Sequence, residues 1–403
     1  MPAAMRELMQ PLMSAQPMDQ VLPRARMLSR YQAGLYEHTF KPMLMMSLLP
    51  DVQGTRSISN LLAWDVELQV LNNQPKTALD CINGMLGIAR SFDRDPFMIS
   101  HLVRMAIVGH ACRQAMRVLA LSSIWNEHQL LALQTALERE HALSRGTLQL
   151  MVKGDLAVFD HDMSELIEGR TTILKSARML SRSVGWLTGN DKVDEMLVNL
   201  FPEIVVGWGN RPANYLKERY DILKYFSAAL EWSKLPDHDL IPATERWSRE
   251  GPFLSRFIRH YFLMSPRFSS NTDVPQEIDS LQRIARAYLT QRVKLRCAIA
   301  AVAAERYRLK EGKWPAAMAD LSPGYLKDTP VDPFTNRPLT MKSLPDGLVI
   351  YSVGRDGVDD GGDVLSTESA QSKDLGYRLW NPAQRSVNLD DKCNEFVTSR
   401  KAQ

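Results

Sequence analysis

The sequence predicts a mainly α protein: a helical bundle or irregular helical repeat, followed by a small α+β module with a long helix and a short β-hairpin. Three observations carry this reading. Apolar residues recur at helical spacing from about residue 57 to residue 262. Large residues then repeat every seven positions through a single long segment near 277–310. Beyond it, short extended stretches alternate with Pro, Gly, Asn and Asp.

The bulk numbers narrow the classes. A chain of 403 residues allows one to three domains and a sizeable core. Its 45% hydrophobic and 24% charged content is ordinary for a globular protein. With 49 basic against 46 acidic residues, the net charge of +3 argues against nucleic acid or an anionic membrane as main partner. Four scattered cysteines without a C-x-x-C pair read as buried free thiols, not as a zinc site or disulfide framework. The best apolar runs, 43–49 and 297–304, fall short of the ~20 residues a bilayer requires. No basic start followed by an apolar stretch marks a secretory signal, so the chain as written reads as soluble. An apolar anchor upstream would make it periplasmic or envelope-associated.

Taken in order, residues 1–53 break at Pro11, Pro17, Pro23, Pro42 and Pro50, which predicts short helical pieces lying on the next domain. Residues 54–264 form the expected helical domain. Leu61, Leu62, Val66 and Leu68 precede the Asn72-Asn73-Gln74-Pro75 break, and Ala78, Leu79, Ile82, Leu86 and Ala89 follow it. Two helices joined by a short polar turn make an antiparallel hairpin, the unit of helical repeats. Ala78-Leu79 loosely resembles a tetratricopeptide placement, but no 34-residue period supports it. Pro96 opens a third helix, and Asn126 caps a fourth through Leu130, Leu133 and Leu137. Residues 265–275 read as a linker.

Residues 276–403 make the last unit. Leu281, Tyr288, Leu295, Val302 and Leu309 form the heptad line of its helix, with Ile284 and Ala298 on a second line. Such a seam suits either a partner surface or, as the plainer reading, the helix's own domain. Pro315 is expected to stop the helix. The segments 338–341 and 348–351, joined through Pro345-Asp346-Gly347, signal a hairpin.

The ordered motifs of this region are Gly312-Lys313-Trp314-Pro315, Tyr325-Leu326-Lys327, Asp332-Pro333-Phe334-Thr335-Asn336, and Tyr351-Ser352-Val353-Gly354-Arg355-Asp356-Gly357. A Gly-rich acidic stretch ends the series. The order resembles the globular part of the major pseudopilin of type II secretion, over about 90 residues of the chain. The prepilin signal and anchor helix of that family have no counterpart here. The resemblance therefore implies a reused module, not a working pilin subunit.

Asp356, Asp359, Asp360 and Asp363 fall within eight residues against a lone Arg355. Such crowding repels unless it is solvated or neutralised, and hard oxygen ligands on a flexible loop suit calcium. The resemblance implies a calcium site using the backbone carbonyl of Val353, the carboxylate of Asp356 and a later Asp near Asp363. Asp359 and Asp360 are additional candidate ligands.

Motifs for common catalytic chemistries are missing from the sequence. The triplets Asp160-His161-Asp162 and Asp237-His238-Asp239 are the metal-flavoured clusters outside the tail. The expected function is a non-enzymatic scaffold with a protein partner. The alternative is a hydrolase whose site joins the two triplets in a groove of the helical domain.

Overall fold

The computed structural model describes residues 3–31, 34, 36, 44, 49–168, 212–250, 280–364 and 374–385. The expected linker at 265–275, the Trp208 turn and Cys393 lie outside the described residues. Among those described, the chain is mainly helical with a small antiparallel sheet near its C-terminal end.

Helices α1 (Ala3–Ser14) and α2 (Met18–Arg26) are the short N-terminal pieces. Next come α3 (Pro50–Leu71) and α4 (Pro75–Arg90). Pro50 starts a helix where the sequence reading has a break, because at the first helical position proline loses no hydrogen bond. Asn73, at φ 53, turns the chain between α3 and α4, which pack as the expected hairpin. The end of α2 lies directly on α4. A Cβ added at Gly84 would sit 2.7 Å from the Ala25 carbonyl, and one at Gly87 2.5 Å from the backbone of Leu28.

Helices α5 (Met98–Leu121), α6 (Glu127–Leu143) and α7 (Thr147–Ile167) follow. Asn126 caps α6 as its position suggests, and Gln129 completes a reciprocal capping box. Helix α8 (Pro212–Trp232) packs along α7, and α9 (Leu240–Glu250) follows the turn at Asp237–Asp239.

The long helix, α10 (Ser280–Glu311), is the axis of the fold. Every residue from Cys297 to Arg306 is buried, so α10 has no solvent face over this stretch. A helix apolar on all sides must be surrounded. Here α5 and α6 pack on it, and so do β2 (Gly347–Ser352) and β3 (Leu375–Trp380). Of the heptad line, Tyr288, Leu295 and Val302 are buried inside the chain's own core, while Leu309 is 41% exposed. Leu348, Ile350 and Leu379 of the strands share one apolar cluster with Cys112, Leu133 and Val302 of the helices. The core is thus continuous from the N-terminal helices to the sheet.

Helix α10 ends at Glu311 because Gly312 takes a left-handed φ of 73° and its N–H returns to the Arg308 carbonyl at 2.9 Å. This corrects the expectation that Pro315 ends it. The expected hairpin is present as β1 (Thr340–Leu344) against β2, through the two-residue turn Pro345-Asp346. β3 completes the sheet in the order β1-β2-β3, pairing Leu348 with Leu379 and Ile350 with Tyr377. The sequence reading has no counterpart for β3.

Buried and partly buried charges join the elements around the axis. Arg90 of α4 donates to Glu140 of α6 at 2.6 Å, and Arg104 of α5 lies 3.5 Å from the same carboxylate. Asp237 accepts from Arg292 and Arg296 of α10, both at 2.7 Å. Arg292 also reaches Ser144, and Arg296 reaches His141 and the Val331 carbonyl. Burial, reinforced by Arg292, Arg296 and Arg145, pushes the His141 pKa down to about 3, so a neutral ring accepts from Arg296.

Replacing one partner in such a cluster strands the others. Asp237→Ala should therefore lower unfolding free energy by about 3–5 kcal/mol in urea titration, whereas a loss under 1 kcal/mol would mean the two arginines re-pair.

Candidate functional site

The acidic loop is positioned by the sheet and by a turn beside it. Asp332 is buried, and its carboxylate accepts from Phe334 N at 2.8 Å and from Val353 N at 3.3 Å. The Asp-Pro-Phe turn therefore ties down the first residue of the loop. From there the chain folds back over the outer face of β2. Leu348 and Ile350 point into the core, and Val349 and Tyr351 lie on the opposite face. Gly362 sits on that second face at φ 82. A Cβ there would be 2.9 Å from Val349 Cγ1 and 3.0 Å from Tyr351 Cε1. This cover is why β2 is buried at every position.

The candidate ligands divide into two sets. Asp356 is exposed, and its Oδ1 accepts from Val358 N at 3.2 Å, a local turn that engages it at the loop's outer end. Asp359 points back to the sheet: its Oδ1 accepts from the Tyr351 hydroxyl at 2.9 Å and from Gly361 N at 2.8 Å. Burial and this carboxylate push the Tyr351 pKa up. Asp360 and Asp363 are half-buried, as is Val353.

A residue outside the sequence-based set completes the inner group. Asp374, just before β3, is 1% exposed and accepts from Gly362 N at 2.8 Å through Oδ2. Its Oδ1 is buried without a hydrogen-bond partner. Burial raises the Asp374 pKa. The N–H groups of Gly362 and Asp360 oppose the rise, and the charges of Asp359 and Asp360 add to it. The only sequence signal for Asp374 is the alternation Leu375, Tyr377, Leu379 that follows it, which marks a strand start.

Among the described residues, no three His, Cys, Asp or Glu side chains stand close enough together to hold a metal ion as placed. Asp359, Asp360 and Asp374 are all oxygen donors, and the charges of the first two help raise the Asp374 pKa.

The Asp-His-Asp triplets do not meet. Asp237 sits at the α6–α7 junction through Arg292 and Ser144, whereas Asp160 lies thirteen residues up α7, roughly 20 Å along its axis. Asp160 pairs with Arg219, and Asp162 accepts from Leu44 N. His161 is exposed, and His238 lies 3.6 Å from its neighbour Asp239. Asp160, Asp162 and Asp237 are thus placed apart, and each bonds to another segment of the fold. Cys81, Cys112 and Cys297 are buried free thiols, as expected.

No family model, curated protein or solved structure matches this chain.

Two outcomes check this geometry. Gly362→Ala should destabilise by ~1–3 kcal/mol, from left-handed strain and contact with β2, as read by thermal melting. A carboxylic acid whose pKa is raised on folding adds stability that is full below its unfolded pKa and is lost as pH rises through the folded one. In chelator, Asp374→Asn should therefore match the native chain below pH ~4 and be the more stable protein at neutral pH. A variant equally destabilised at both pH values would contradict the placement of Asp374.

Proposed function

We propose that the protein is a non-enzymatic scaffold or interaction protein whose C-terminal, pseudopilin-like module is stabilised by calcium. The observation that carries this reading is the buried Asp374 carboxylate, whose Oδ1 makes no hydrogen bond and whose pKa the charges of Asp359 and Asp360 help raise. Asp359, Asp360 and Asp374 would draw together from their present placement around the ion, and the resemblance adds Asp363, the Val353 carbonyl and Asp356, which would have to give up its bond from Val358 N. Calcium would neutralise the crowding and pin the loop onto β2, giving a structural gain and no reaction step.

The scaffold reading is supported by how the candidate catalytic groups are used. Asp160, Asp162, Asp237, Glu140 and His141 each bond to another part of the fold. On α8, Leu216, Tyr220 and Leu223 present an exposed apolar edge at helical spacing, which suits a protein partner. A link to secretion or the cell envelope rests on the pseudopilin resemblance.

Melting with calcium and with chelator tests the proposal. Millimolar calcium should raise the melting temperature, chelator should lower it, and Asp374→Asn and Asp359→Asn should each remove the response. Saturation at one hundred times Kd would add about 2.7 kcal/mol. A melting curve that ignores both calcium and chelator would refute the proposal.

A further inference from the structure

A cavity of about 610 Å3 lies between the turn Met27–Arg30, the first half of α3 and the end of α4. That is within the range of roughly 300–1,000 Å3 found for small-molecule sites. Its walls are anchored in the core. Ile88 belongs to the main apolar cluster, and Leu28, Ile58 and Tyr36 pack against that cluster. Tyr36 stacks on Phe92 with ring centroids 5.0 Å apart, and its hydroxyl bonds to Ser91 Oγ. Ser91 Oγ in turn donates to the Ile88 carbonyl at 2.7 Å.

Gly54 separates this cavity from a packing defect. Glycine inside a helix weakens it relative to alanine. At Gly87 a neighbour accounts for the glycine, since a Cβ there would lie 2.5 Å from the Leu28 backbone. At Gly54 an added Cβ would meet nothing within 4 Å, and the residue has no left-handed φ. Neither packing nor backbone conformation calls for glycine at this position. Gly54 lines the cavity, however, and a side chain there would take up its space.

The polar groups select the charge of a ligand. Asp51, Gly54, Thr55 and Ile58 share one face of α3 by their spacing. Among the described residues lining the cavity, Asp51 alone is charged. Asp51 and Tyr31 are both exposed, which puts them on the solvent side. Burial raises the Tyr36 pKa, the Ser91 bond opposes the rise, and the Asp51 charge adds to it. A carboxylate and two tyrosine rings around one cavity favour a cation, the acid by its charge and the rings by their negative faces.

We propose that this cavity binds a small organic ammonium ion with an aromatic or branched apolar body, its cation on Asp51 and its body against Leu28, Ile58 and Ile88. The site shares no residue with the acidic loop, so it stands whether or not that loop takes calcium.

Tryptamine, its neutral analogue tryptophol and its acidic analogue indole-3-acetate are titrated into the full-length chain by calorimetry at neutral pH, with EDTA present. Tryptamine should saturate one site and bind at least fivefold more tightly than tryptophol, with indole-3-acetate weaker still. Asp51→Asn should erase the preference for tryptamine and leave tryptophol unchanged. Gly54→Leu should weaken both tryptamine and tryptophol at least fivefold without lowering the melting temperature, because the position is exposed and leucine favours a helix. Asp328→Asn, at an exposed carboxylate beyond α10, should bind tryptamine as the native chain does. Asp51 is exposed, so its variant reports on binding even if Gly54→Leu folds poorly. Tryptamine binding that never saturates, or equal affinity for the three probes, would overturn the proposal. So would an Asp51→Asn chain that keeps the preference, or a folded Gly54→Leu chain that binds like the native one.

Discussion

The burial of α10 on all sides is the constraint on which the rest of the structure depends. Residues Cys297 to Arg306 have no solvent face, so helices must cover one side and the sheet the other. Each large apolar side chain so buried contributes roughly 1.5–3 kcal/mol. Small residues make the close approach possible: Ala298, Ala300, Ala301, Ala303 and Ala304 leave room for neighbours on several faces. The charged residues within and beside this stretch are held by partners from distant segments. Glu305 accepts from Arg308 and from Arg385, which also reaches the Ser122 carbonyl. Burial alone would raise the Glu305 pKa, but these donors outweigh it and hold it low. Arg306 reaches Gln134 and Glu127 of α6.

The acidic loop follows from the same constraint. Once β2 lies against α10, its outer residues Val349 and Tyr351 need cover, and Gly362 supplies it only because it carries no side chain. Folding the loop inward brings Asp359 onto the Tyr351 hydroxyl and sets Asp374 beside it. The module thus gains apolar cover at the expense of concentrating negative charge. A hard cation would relieve that charge.

Much of this architecture was legible in the sequence, for local reasons. The Asn126 cap, the Pro75 helix start and the Pro345-Asp346-Gly347 turn depend on residues a few positions apart. So does the heptad line of α10, although its period alone does not tell an external partner from an internal one. Long-range pairing was harder to read. Glu140 looks like a surface acid on α6 until Arg90 and Arg104 arrive from α4 and α5. Asp237 looks like a metal-flavoured turn residue until two arginines of α10 claim it. Asp374 lies eleven residues beyond Asp363 in sequence, and only strand pairing returns it to the loop. Asp356 carries the family motif, yet its carboxylate caps its own turn.

Native-state hydrogen exchange tests the shared core most directly, because it resolves whether the sheet and the helices open together. With rising denaturant, amides of α10 between Cys297 and Arg306, of α5 and of β2 should converge on one isotherm at the global unfolding free energy. Strand amides that exchange through a separate, lower-energy opening, while α5 and α6 stay protected, would contradict the account.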